Sequence, residues 1–97
     1  MSEYTLRTFS LPTLTSVPSS ATSVSLIGAN PARKAIIFQN TSTAILYIRL
    51  GTSDATATTG HSIQLAANSS YAMEGYTGAA TGIWAAANGQ CNITELQ

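Results

Sequence analysis

From Val24 onward the chain alternates between short apolar runs of period two and clusters of turn residues, the signature of strands half-buried in a sheet. "SVSLIG" reads as one strand, ended by "GANPAR", where Gly28, Asn30 and Pro31 form a turn or loop. "KAIIFQN" and "AILYIRLG" are β-branched and aromatic runs joined by "TST", which predicts a hairpin. In the second run Ile45, Tyr47 and Arg49 alternate with Leu46, Ile48 and Leu50, so one face is dry and the other amphipathic. "TSDATATTGH" reads as a polar loop or weak edge strand. "SIQLAA" and "NSSYAMEG" supply two more strands, with Ile63 and Leu65 together on one and Tyr71 and Met73 on the other. "TGIWAAANGQCNITELQ" reads as two strands around Asn88-Gly89, a pair favoured in type I′ hairpins.

Seven or so short strands, no helical period and turn signals every eight to twelve residues predict an all-β domain. The expected fold is a small antiparallel β-sandwich or jelly-roll-like domain over residues 24–97. Residues 1–23 differ. They hold Pro12, Pro18 and a dense Ser/Thr background around Leu6, Phe9, Leu11, Leu14 and Val17, which disfavours a helix and predicts an extended N-terminal arm.

Composition sharpens this picture. The 97 residues fit one domain and carry four basic and four acidic side chains, for a formal net charge of zero. Arg7, Arg33, Lys34 and Arg49 are scattered, so no basic face is available to recruit nucleic acid. Fourteen threonines and twelve serines take the place of charge, a surface that favours association over solitary solubility. Without the arm the domain is small enough to have a marginal core, and its lone Cys91 permits no internal disulfide. Oligomerisation that covers the sheet edges is the expected remedy. No apolar run near the N-terminus has the length of a secretory signal or membrane span, so synthesis in the cytosol is expected.

Candidate chemistry is sparse. His61 is the single histidine, and a triad would have to draw on Asp54 with Ser53 or Ser62 outside any recognised nucleophile context. Cys91 lies in an alternating strand beside a turn, a position that suits a small packed residue. Glu3, Asp54, Glu74 and Glu95 are too few and too dispersed to suggest paired carboxylates or a metal-ligand spacing. "GYTGAATG" lies among strands, not at the start of a helix, and so lacks the setting of a phosphate loop. No catalysis, cofactor, metal or small-molecule substrate is expected. The sharper alternative is a glycan platform of Tyr71, Tyr76 and Trp84, with Asn88 and Gln90 as hydrogen-bonding partners. Against it stands a packed or interface Trp84. The triplets at Asn40, Asn68 and Asn92 match the glycosylation pattern, as expected by chance in so Ser/Thr-rich a chain.

"RKAIIFQNTSTAILYIRLG" and "YTGAATGIWAAANGQCNITEL" resemble segments of small β-rich virion proteins of tailed bacteriophages, a group that includes head decoration, or cement, proteins. Arg33, Asn40, Leu46, Tyr47, Leu50, Gly51, Tyr76, Thr77, Gly78, Gly82, Ile83, Trp84, Gly89, Thr94, Glu95 and Leu96 carry the resemblance over roughly the last two-thirds of the chain. It implies a structural protein on the outer surface of the head, commonly a homotrimer, made in the host cytoplasm and stapling major capsid protein subunits together. A tail, neck or fibre adaptor is the alternative within the same group. The first twenty-three residues match no pattern of this group. Arg7, Phe9, Leu11 and Leu14 are the candidate capsid contacts on the arm.

Overall fold

A computed structural model of the chain describes residues 12–97. Eight strands form two four-stranded antiparallel sheets: β1 (Pro12–Pro18), β2 (Val24–Ile27), β3 (Ala35–Asn40), β4 (Leu46–Leu50), β5 (Ile63–Leu65), β6 (Ser70–Glu74), β7 (Ala80–Trp84) and β8 (Gln90–Leu96). One sheet runs β1-β8-β3-β6 and the other β2-β7-β4-β5. The ladders β1·β8, β2·β7, β3·β6 and β4·β5 make a single long hairpin, which the pairings β3·β8 and β4·β7 roll into a sandwich. This is jelly-roll order.

Alternation sets the core. Ile36 and Phe38 of β3, Cys91 and Ile93 of β8, Leu46 and Ile48 of β4, and Trp84 of β7 all point between the sheets and are buried. Gly82 faces Leu26 so closely that a Cβ there would lie 2.8 Å from a Leu26 methyl, and the glycine lets the leucine seat against β7. Val17, Val24, Ile27, Leu50, Ile63 and Met73 close the rim of this cluster.

Two expected hairpins prove to be crossovers. β3 and β4 lie in opposite sheets, as do β7 and β8, and only β4 and β5 are consecutive strands paired in one sheet. Asn88 does not have the positive φ that a type I′ turn requires, while Gly89 sits at φ 120°. Asn88 Oδ1 accepts the Thr43 N–H at 3.1 Å, and a Cβ on Gly89 would stand 2.6 Å from Ser42 Cα. The two connections therefore brace each other across one end of the sandwich.

Residues 12–18 of the expected arm are a strand of the sheet, paired with β8 over seven registered positions. The chain from Ser19 to Ser23 is also tied down. Ser19 N–H donates to Gly89 O at 2.9 Å, Trp84 N–H to Ser20 O at 2.9 Å, and Ala55 N–H to Ser23 Oγ at 3.0 Å.

Candidate interaction surface

Buried polar groups first show where the chain's chemistry is already committed. The Arg33 guanidinium, 3% exposed, donates to Glu95 Oε2 at 2.8 Å, Gly28 O at 2.6 Å, Gly78 O at 2.9 Å and Tyr76 O at 3.2 Å. It clips the "GANPAR" turn and the "YTG" turn to the last strand. Asn40 fills a second node. Its Nδ2 donates to Ala44 O, Leu65 O and Ala66 O at 2.8, 3.1 and 3.2 Å. Its Oδ1 accepts from Ser42 N–H, Ser42 Oγ–H and the indole N–H of Trp84 at 3.2, 2.7 and 3.3 Å. Among the described residues no buried side-chain nitrogen or oxygen lacks a partner.

The residues weighed for a triad take part in local contacts, those of Ser53 and Asp54 being through their backbone carbonyls. His61 Nδ1 lies 3.0 Å from Thr56 O, and its ring tilts against Tyr47 at 4.9 Å between centroids. Ser62 Oγ accepts from Leu50 N–H at 3.3 Å, Ser53 O accepts from Thr81 Oγ1 at 2.6 Å, and Asp54 offers its carbonyl to Arg49 at 3.3 Å. Burial pushes the Cys91 thiol from its ordinary 9.0 up to about 12, with a backbone hydrogen bond at Gln39 acting in the opposite sense. At neutral pH it is a protonated core side chain, a weak nucleophile. No group of three or more His, Cys, Asp or Glu side chains converges among the described residues. Glu3 lies outside them.

The proposed sugar platform is not assembled. Trp84 is 2% exposed, with its ring in the core and its N–H on Asn40, so it offers no face to a sugar. Tyr76 donates its hydroxyl to Ala79 O at 2.6 Å and lies over Gly78. Tyr71 is 43% exposed on edge strand β6. Asn88 holds Thr43, and Gln90 Nε2 donates to Asn92 Oδ1 at 2.8 Å.

The outer face of the β1-β8-β3-β6 sheet is different in kind. Registered residues share a face, which places Leu14, Thr94, Ile37 and Ala72 in one outward row. Pro12, Leu96, Ala35 and Glu74 form the row beside it. Ser16, Asn92, Gln39 and Ser70 form the row on the other side, where Ser16 Oγ donates to Asn92 Oδ1 at 2.7 Å. The half of the face toward Pro12 is mostly apolar, interrupted by Thr94 and the charged Glu74, and the other half is amide and hydroxyl. In the mostly apolar half Ile37, Ala72 and Leu96, with Ala35, Met73 and Glu74, line an open hollow of about 310 Å³. Leu14 stands 67% exposed in the same outward row as Ile37 and Ala72.

This places Leu14 on a surface a partner could cover. Arg7, Phe9 and Leu11 lie outside the described residues. Sequence reasoning missed Ile37, Ala72 and Leu96, although "AIIF" carries the signal: Ile36 and Ile37 are adjacent, so β3 must be apolar on both faces. Comparison with protein families, with curated proteins and with solved structures finds no match to the chain.

Proposed function

We propose that this chain is a non-enzymatic virion structural protein of a tailed bacteriophage, which binds the outer surface of the assembled head as a homo-oligomer and adds contacts between major capsid subunits. The carrying observation is the apolar half of the outer sheet face. Leu14, Ile37, Ala72, Leu96 and the 310 Å³ hollow lie at the end of the sheet where the N-terminal residues enter through Pro12. Segment and face can therefore engage the same partner. Exposed apolar area of this kind, rimmed by amides and hydroxyls, suits a protein surface better than a charged or sugar ligand. The zero net charge and the sequence resemblance support the same reading.

The test is binding of the full-length protein to heads of its encoding phage assembled without it. Saturable co-sedimentation, with label on the shell and heads that resist heating better, is the expected outcome. Ala72→Glu adds a second carboxylate, at an exposed position, to a hollow that Glu74 already lines, and is expected to abolish binding without lowering the melting temperature. Label confined to tail or neck would replace the head reading with an adaptor. Binding only to host surface polysaccharide would replace it with a receptor module.

A further inference from the structure

A sandwich of two open sheets has four edge strands, here β1 and β6 in one sheet and β2 and β5 in the other. Natural edges are blunted against strand addition by shortness, bulges, charge or proline. β5 has three residues. β2 has four, and its register shifts between Ser25 and Ile27. β6 ends in the charged Glu74. β1 lacks the first three: seven residues, "PTLTSVP", in unbroken register and without a charge, with proline only at its two ends.

The prolines at its two ends reveal which groups point outward. Proline has no N–H and is tolerated in a ladder where that position faces away from the neighbouring strand. Pro12 and Pro18 share their parity with Leu14 and Ser16, so these residues direct their backbone N–H and C=O away from β8. Ser19, of the opposite parity, confirms the phase by donating its N–H toward the β8 side, to Gly89 O at 2.9 Å. Among the described residues no strand pairs with this edge, which offers the N–H and C=O of Leu14 and of Ser16, placed symmetrically about Thr15.

We propose that β1 is a docking edge for a second copy of this chain, with two β1 strands pairing antiparallel about a two-fold axis through Thr15. In this register Leu14 N–H and C=O meet those of the second copy's Ser16, and Ser16 meets the second copy's Leu14. Every outward N–H of both strands is then satisfied. Two-fold pairing requires a self-complementary patch. An uncharged strand brings no like charges together. On the inner side Thr13 of one copy meets the half-buried Val17 of the other, and the two four-stranded sheets become one of eight strands. The inference does not depend on the virion reading and would stand if particle binding failed.

Its geometry can be tested by cross-linking. Thr15 lies on the axis as a non-hydrogen-bonded pair, where Cα atoms are about 4.5 Å apart. That is within the span of roughly 4.4–6.8 Å that a disulfide bridges. Thr15→Cys is expected to give a covalent dimer under mild oxidation. Thr13→Cys, opposite Val17, is not, and neither is the wild-type chain, whose Cys91 is fully buried. Adding Leu14→Lys to Thr15→Cys places a cation on each strand at the seam and is expected to cut the dimer yield roughly tenfold. Leu14 is exposed in the single copy, so an unchanged circular dichroism spectrum accompanies that loss. A Thr15→Cys chain that stays monomeric, or Thr13→Cys cross-linking equally well, overturns the proposal. Cross-linking that appears only after removal of residues 1–11 also overturns it, by showing that the chain's own N-terminal segment occupies the edge.

Discussion

At the scale of single residues, two buried polar side chains do work that apolar packing cannot, because they terminate backbone that would otherwise be orphaned inside the sandwich. Arg33 satisfies three carbonyls and the Glu95 carboxylate. Arg33→Leu strips those carbonyls of their donor and leaves the carboxylate only the 3.3 Å amide contact from Asn30, and is expected to cost about 3–5 kcal/mol in urea unfolding. Asn40 is a more selective node, since its amide donates to three carbonyls while its oxygen accepts from Ser42 and Trp84. Asn40→Asp keeps the acceptor and turns an oxygen toward those carbonyls. Burial and the facing oxygens raise the carboxyl pKa in the folded state above its unfolded value, so the folded state holds a proton that the unfolded state releases. The variant is expected to be strongly destabilised at pH 7 and to regain stability as pH falls toward the unfolded carboxyl value, the reverse of ordinary acid denaturation. Melts between pH 7 and pH 4 check the sign. Cys91 gives a second pH dependence. Its folded pKa of about 12 lies above the ordinary 9.0, so the protonated thiol favours the fold and its contribution is lost as pH rises from about 9 toward 12. Cys91→Ala lacks that loss, and the stability gap between it and the wild type is expected to narrow across this window.

At the scale of elements, the strands were legible and their partners were not. Alternation placed Leu46 and Ile48 on the dry face and grouped Ile63 with Leu65, as the sandwich has them, because which side chains are buried is a local property of the pleat. Pairing in a jelly roll is not local. "TST" and Asn88-Gly89 carry turn chemistry, yet each leads the chain from one sheet to the other, and what decides this is a set of long-range contacts: Asn40 with Leu65, Asn88 with Thr43, Gly89 against Ser42. In the sequence Arg33 read as one of four scattered basic residues and Asn40 as a glycosylation triplet, both within the resemblance motif, since nothing local announces that a polar residue at a strand end will face inward. Glycine at position 89 shows how tightly the crossovers fit. Gly89→Ala meets both a φ of 120° and a Cβ 2.6 Å from Ser42 Cα, so backbone must move. A loss of roughly 2 kcal/mol or more is expected. Gly28→Ala, with nothing within 4 Å and no positive φ, is the matched control and is expected to change stability by less than about 0.5 kcal/mol.

At the scale of the whole molecule, the position of β1 determines how any experiment on the N-terminus can be read. The sequence pattern suggested a boundary near residue 23, because the Ser/Thr and proline content changes there. The sheet instead includes residues 12–18, held by the ladder to β8, with Val17 against the core, and the following residues bond to Gly89, Trp84 and Ala55. Proline and hydroxyl residues are compatible with an edge strand, which needs donors along one side only. Deletion of residues 1–23 therefore removes a strand and opens the edge of β8, and a loss of particle binding by that variant would report on the fold as much as on any gripping segment. Deletion of residues 1–11 leaves every described contact in place. The longer deletion is expected to be less stable than the shorter by about 2 kcal/mol or more in urea, the scale of a half-buried valine together with the ladder hydrogen bonds to β8. Equal midpoints would show β1 to be dispensable to the fold, and would leave it free to leave β8 and bind elsewhere. The expected difference instead makes β1 part of the rigid body, so that capsid binding retained by the shorter deletion would assign the grip to the outer sheet face around Leu14, Ile37 and Ala72, and binding lost by it would assign the grip to residues 1–11.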